Sequence, residues 1–110
     1  MRRSAKGTFV LSVRVKLASQ AELDAFVEVF RPLAEYVQRH EPDTVFYEMA
    51  LADQKPFEVL IHERYSSRAA FEEVHRVSAP FLEFKRRVAA LPFTVAFDGV
   101  SYEELGYGFV

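Results

Sequence analysis

The sequence predicts an α+β domain of ferredoxin-like βαββαβ order, with a four-stranded antiparallel sheet and two helices on one of its faces. Four segments alternate apolar and polar residues with the two-residue period of strands, and two longer segments carry the three- and four-residue spacing of amphipathic helices. With 110 residues, half of them apolar, there is material for one core.

In the first strand, Phe9, Leu11, Val13, Val15 and Leu17 alternate with Val10, Ser12, Arg14 and Lys16. Ser19 and Glu22 then have the spacing of a capping box, in which hydroxyl and carboxylate satisfy free N–H groups at a helix start. The helix that follows carries Leu23, Phe26, Val27, Phe30, Leu33, Ala34 and Val37 on one stripe. Pro32, without an N–H, is expected to kink or divide it, and His40-Glu41-Pro42-Asp43 to end it.

Thr44 to Leu51 and Phe57 to Tyr65 read as two strands joined by the polar hairpin Ala52 to Pro56. Ser66 or Ser67 can cap a second helix carrying Ala70, Phe71 and Val74, which Ser78-Ala79-Pro80 restarts and Phe81, Phe84, Val88 and Leu91 continue. Pro92 closes it, and Phe93 to Val100 alternates as the last strand. Three segments are expected: a flexible N-terminus over 1–7, the domain over 8–100, and an aromatic tail over 101–110 that packs on the domain or on a partner.

The middle strands are apolar on both faces: Val45, Tyr47, Met49 and Leu51 oppose Phe46 and Ala50, and Leu60 opposes Val59 and Ile61. Two helices cover one face of such a sheet, so a homodimer formed through the other face is expected.

Fourteen Lys and Arg against 16 Asp and Glu leave a formal charge of −2 and no basic stripe for nucleic acid or an anionic membrane. The strand Phe57 to Tyr65 also lacks the glycine and aromatic pattern with which RNA-recognition sheets stack bases. The absence of cysteine excludes disulfides, thiolate zinc sites and a thiol nucleophile, and fits the cytoplasm. The basic start runs into an alternating segment with no continuous apolar region of a signal peptide, and no apolar run is long enough to span a membrane. Without a glycine-rich phosphate loop or metal-ligand spacing, neither a metal nor a tightly held cofactor is expected.

Glu41-Pro42-Asp43-Thr44-Val45-Phe46-Tyr47-Glu48, then Phe57 to Tyr65 ending in Glu63-Arg64-Tyr65, then Phe71 to Phe81 with His75, Ser78 and Phe81, together resemble the antibiotic biosynthesis monooxygenase family from about residue 8 to 100. The resemblance implies a dimeric α/β barrel, its two sheets face to face, with a pocket between sheet and helices in each subunit. Proteins of this kind include oxygenases that act on quinols and polyketide anthrones without metal or flavin, haem-degrading enzymes, an isomerase of a phosphorylated sugar derivative, and proteins without known activity. The haem degraders use a His in the last helix and an Asn in the first strand, where this sequence is similar in place but carries Lys85 and Val13.

Cofactor-free oxygenation needs a base, an electron-rich phenolate or enolate, and an apolar shelter. His75, an imidazole of the kind that ordinarily titrates near neutrality, set beside an apolar stripe, is the leading candidate base, the alternative being a brace for the helix break at Ser78. Tyr65 and Glu48 complete the candidate catalytic set. Tyr47, Phe57, Phe71, Phe81 and Phe84 are candidate substrate-binding residues, the alternative being plain core. Glu63 and Arg64 read as a structural ion pair. His62 reads as a sheet-face histidine and His40 as a helix C-terminal one.

With these residues, the resemblance implies a cofactor-independent monooxygenase for a quinol or polyketide-like aromatic. The alternatives are a non-enzymatic dimer that binds a small apolar ligand or serves in stress, and an isomerase of a phosphorylated carbonyl compound held by Arg76, Lys85, Arg86 and Arg87.

Overall fold

A computed structural model describes residues 5–110; the expected N-terminal segment lies in part, over residues 1–4, outside the described residues. The elements are β1 (Phe9–Lys16), α1 (Gln20–His40), β2 (Thr44–Leu51), β3 (Glu58–Tyr65), a π-helical turn (Ala70–His75), α2 (Ala79–Ala89) and β4 (Phe97–Glu103). All neighbours in the sheet order β2-β3-β1-β4 are antiparallel. No helix among the described residues is long and apolar enough to cross a membrane.

Alternation sorts the strands into two faces. Val13, Val15, Val59 and Ile61 pack beneath the helices against Phe26, Phe30, Leu33, Val37, Phe84 and Val88, which form the core. By register, Ser12, Leu60, His62, Arg64, Phe46, Glu48, Val100 and Tyr102 share the opposite, open face. Phe46, Leu60, Val100 and Tyr102 are exposed there.

Ser19 caps α1 as expected, its Oγ accepting from Glu22 N at 3.2 Å. Pro32 does not divide the helix, which runs unbroken to His40. Pro32 and Glu28, whose carbonyl the proline cannot bond, both lie on the exposed side, where water can serve as the partner and Leu33 and Val37 keep their places in the core. The second helix breaks where Ser78 suggested: Ser78 Oγ accepts from Phe81 N at 3.2 Å and donates to His75 O at 2.9 Å.

β4 starts four residues later than the alternation predicts, at Phe97, and ends three later, at Glu103. As an edge strand it pairs with β1 alone, and its register sets Phe97 against Val15, one residue from the end of β1. Residues before Phe97 therefore have no strand to join, and Phe93 and Val95 pack against the core from a connecting segment instead.

Just past β4 lies a partly buried ion pair. Arg64 Nε and Nη2 reach Glu104 Oε2 and Oε1 at 2.5 and 2.9 Å, and Glu104 N extends the pairing to Thr8 O at 2.9 Å. Beyond it Leu105, Tyr107 and Phe109 are exposed on the single chain. Glu104→Ala strips the partner from a guanidinium whose side chain is only 6% exposed. A loss of about 3 kcal/mol is expected, read as a lower urea midpoint, whereas Arg14→Ala, at an exposed pair with Asp98, is expected to leave the midpoint nearly unchanged.

Candidate functional site

A π-helical turn inserts one residue into the helical repeat, here with Arg76 N bonded to Phe71 O at 3.0 Å, and so redirects the side chains that follow. It turns His75 inward until the imidazole is 1% exposed. Nδ1 lies 2.9 Å from Glu41 Oε1, which also accepts from Thr44 Oγ1 at 2.8 Å. Nε2 faces Tyr47 Oη at 3.5 Å and Glu63 Oε1 at 3.8 Å. The Tyr65 hydroxyl, fully buried, donates to Glu63 Oε1. The second oxygen of Glu41 is buried and has no hydrogen-bond partner.

Burial holds His75 below the ordinary imidazole value, against the opposing pull of Glu41. A neutral ring whose Nδ1–H donates to Glu41 leaves the Nε2 lone pair facing Tyr47 and Glu63. Burial pushes Glu63 up to about 7, with the Tyr65 hydroxyl acting against the rise and the nearby Glu41 adding to it. Tyr47 and Tyr65 are both raised, first by burial and then by the Glu63 charge, and so stay protonated.

Beside this cluster is a cavity of about 260 Å³ between the sheet and the helices, walled by Leu11, Val13, Phe30, Ile61, Phe71, Phe81, Phe84 and Phe97. Tyr47 and Glu63 belong to its lining, with Lys85 as the cation and Gly99 as the one residue without a side chain. Val13 and Lys85, from β1 and α2, face each other's elements across it.

The structure gathers most of the candidate residues and separates some. Tyr47, Phe71, Phe81 and Phe84 line the cavity, while His75 and Tyr65 stand behind the wall that Tyr47 and Glu63 form. Phe57 does not reach it: it sits in the hairpin at φ +58°, packed on the far end of the core. Glu48 is on the open face opposite His62, because Tyr47 beside it faces Glu63. Glu63 and Arg64 are no ion pair, since neighbours on a strand point to opposite faces: Arg64 pairs with Glu104, and Glu63 joins the His75 cluster. His62 accepts or donates to Ser12 Oγ at 3.0 Å on the open face.

Glu41 is the member that sequence reasoning missed. The last turn of a helix favours a cation, and Arg39 and His40 satisfy that rule, so a buried carboxylate at the C-cap is itself a signal of a partner elsewhere.

The raised Glu63 has a consequence for stability. The folded state keeps its proton to about pH 7 while the unfolded chain loses it near 4.5, so between these values the folded state binds more protons and its stability falls as pH rises. Glu63→Gln removes that fall. The variant is expected to match wild type at about pH 4 and to exceed it by up to roughly 3 kcal/mol at about pH 8, read from urea midpoints at stepped pH. His75, lowered by burial, has the opposite slope near its ordinary value of 6.5, in both proteins.

Comparison with solved structures finds the same fold in proteins of low identity. A Nitrosomonas europaea protein assigned to the antibiotic biosynthesis monooxygenases superposes with a TM-score of 0.78 at 22% identity, over 96% of this chain and 97% of that one. SnoaB of Streptomyces nogalater, a cofactor-independent oxygenase, gives 0.72 at 16% identity, over 91% and 94%. A Bacteroides thetaiotaomicron protein of unknown function gives 0.76 at 15% identity, over 91% and 100%. At these identities the likeness establishes the fold. A comparison with curated protein sequences finds no match. The sequence model of the antibiotic biosynthesis monooxygenase family matches residues 8–87, most of the chain, and with the βαββαβ sheet it places this protein in that family.

Proposed function

We propose that this protein is a cofactor-independent monooxygenase that oxidises an electron-rich aromatic, a quinol or polyketide-like phenol or anthrone, with O₂. The observation that carries the reading is the aromatic-walled cavity whose polar members, Tyr47 and Glu63, abut the His75–Glu41 pair. Family membership and the fold shared with SnoaB support it.

In this reading the cluster removes a proton from the substrate, and the resulting anion gives one electron to O₂. Radical and superoxide then join through a new C–O bond. The peroxide takes up a proton, its O–O bond breaks as the carbon loses hydrogen, and water leaves a carbonyl behind. One O₂ is consumed per substrate, one oxygen atom entering the product and the other leaving as water. The apolar wall shelters the anion and the radical pair from bulk water. A phosphorylated substrate fits less well, because Lys85 is the cavity's one cation among its lining residues and Arg86 is paired with Glu83 on the surface.

The working form is a cytoplasmic homodimer joined through the open sheet face, supported by the exposed Phe46, Leu60, Val100 and Tyr102. Sedimentation equilibrium is expected to give a dimer for wild type and a monomer for Leu60→Glu; a wild-type monomer would remove this assembly.

The activity is tested by oxygen uptake over a panel of quinols and anthrones with chelator-treated protein, corrected for autoxidation. Uptake above background is expected for at least one member. A folded protein that binds panel members and consumes no oxygen would instead be a ligand-binding protein.

A further inference from the structure

We propose that Glu63, and not His75, is the group that takes the proton from the bound substrate, and that His75 and Glu41 relay it away from the cavity. The assignment rests on reading the cavity as the substrate site. A catalytic base must touch the proton it removes. Glu63 lines the cavity; His75 does not, being almost wholly buried behind Glu63 and Tyr47.

The remaining geometry fits an acceptor that passes its charge on. Tyr65 from β3 donates to Glu63 and fixes it, Tyr47 from β2 and His75 from the π-helical turn face it, and Lys85 from α2 stands on the same cavity wall. Both tyrosines hold their protons and so do not serve as the base. His75 Nε2, 3.8 Å from Glu63 Oε1, is the acceptor behind it. Beyond the ring lies Glu41, a buried carboxylate with one oxygen at Nδ1 and the other without a hydrogen-bond partner.

The proton balance is simple. The substrate O–H bond breaks and an O–H bond forms on Glu63. Once substrate binding closes the 3.8 Å gap to hydrogen-bond distance, that proton moves to His75 Nε2 while the Nδ1 proton moves to Glu41 Oε1, leaving the ring neutral and Glu63 ionised. A carboxyl that titrates near neutral pH suits such a role, since a stronger acid would leave the phenol protonated.

The test separates proton removal from oxygen chemistry. Under nitrogen, a hydroxyanthraquinone is titrated into the protein as a dye: its colour reports phenol against phenolate, and O₂ has nothing left to oxidise in it. Binding is followed independently by tyrosine fluorescence. Wild type is expected to bind the dye as phenolate, with a protonated-carboxyl band gained in the infrared difference spectrum. Glu63→Gln, which preserves the shape and can still accept from Tyr65, is expected to bind it as neutral phenol and to cut oxygen uptake about 100-fold or more. Glu41→Gln is expected to leave the dye ionised but to move the midpoint of the rate-against-pH profile, which a purely structural residue would not do.

Dye bound as phenolate by Glu63→Gln, or bound neutral or not bound by wild type, overturns the assignment. Dye ionised by wild type without oxygen uptake on any substrate would sink the oxygenase reading and keep Glu63 as the base. Uptake that survives Glu63→Gln would do the reverse.

Discussion

His75→Ala is expected to be the most damaging single substitution at the site, costing about 3–5 kcal/mol of stability and about 100-fold or more in oxygen uptake. Two losses combine in it. Removing the imidazole empties a fully packed position between Tyr47, Tyr65, Phe71 and Phe81. It also leaves Glu41, 4% exposed, with Thr44 as its remaining partner. His75→Gln separates the two effects, because an amide can still donate to Glu41 but cannot carry a proton between two carboxylates. Chemical unfolding is expected to place His75→Gln within about 1–2 kcal/mol of wild type, while its oxygen uptake stays as low as that of His75→Ala. Activity retained in the Gln variant would reduce His75 to a brace.

Gly99→Leu should give the opposite pattern, a stable protein that cannot bind. A Cβ at Gly99 meets Val13 Cγ2 at 3.7 Å and Leu11 Cδ1 at 3.8 Å, which is ordinary contact, and a leucine suits a strand. The rest of the side chain must enter the cavity of about 260 Å³ that Gly99 lines. Filling it should raise stability slightly, as cavity-filling changes often do, while kcat/KM for the best substrate falls about 100-fold. A variant that folds and turns over normally would show that the substrate sits elsewhere.

The fold was legible because its signals are local. Period-two strands, the Ser19 cap and the Ser78 restart each need only a few neighbouring residues. β4 starts later than its alternation predicts because the apolar spacing of Phe93, Val95 and Phe97 reflects packing on the core, whereas the strand's extent is set by β1. The site was half legible. His75, Tyr47, Phe71, Phe81 and Phe84 converge, but Glu41 and His75 are 34 residues apart and no local pattern joins them. That Glu63 and Arg64 could not pair was readable from strand alternation alone. Excluding Glu48 needed more: a register shift between Thr44 and Phe46 resets the parity of β2, and only the position of the helices tells which parity faces the cavity.

The most direct test of the central claim is a reaction under isotopically labelled O₂, with chelator-treated wild type and Gly99→Leu run side by side on the best substrate of the panel. The account predicts one labelled oxygen atom in the product, formed in proportion to oxygen consumed by wild type and reduced to the autoxidation rate with Gly99→Leu. Product without label, or labelled product formed equally by both proteins, would contradict oxygenation inside this cavity.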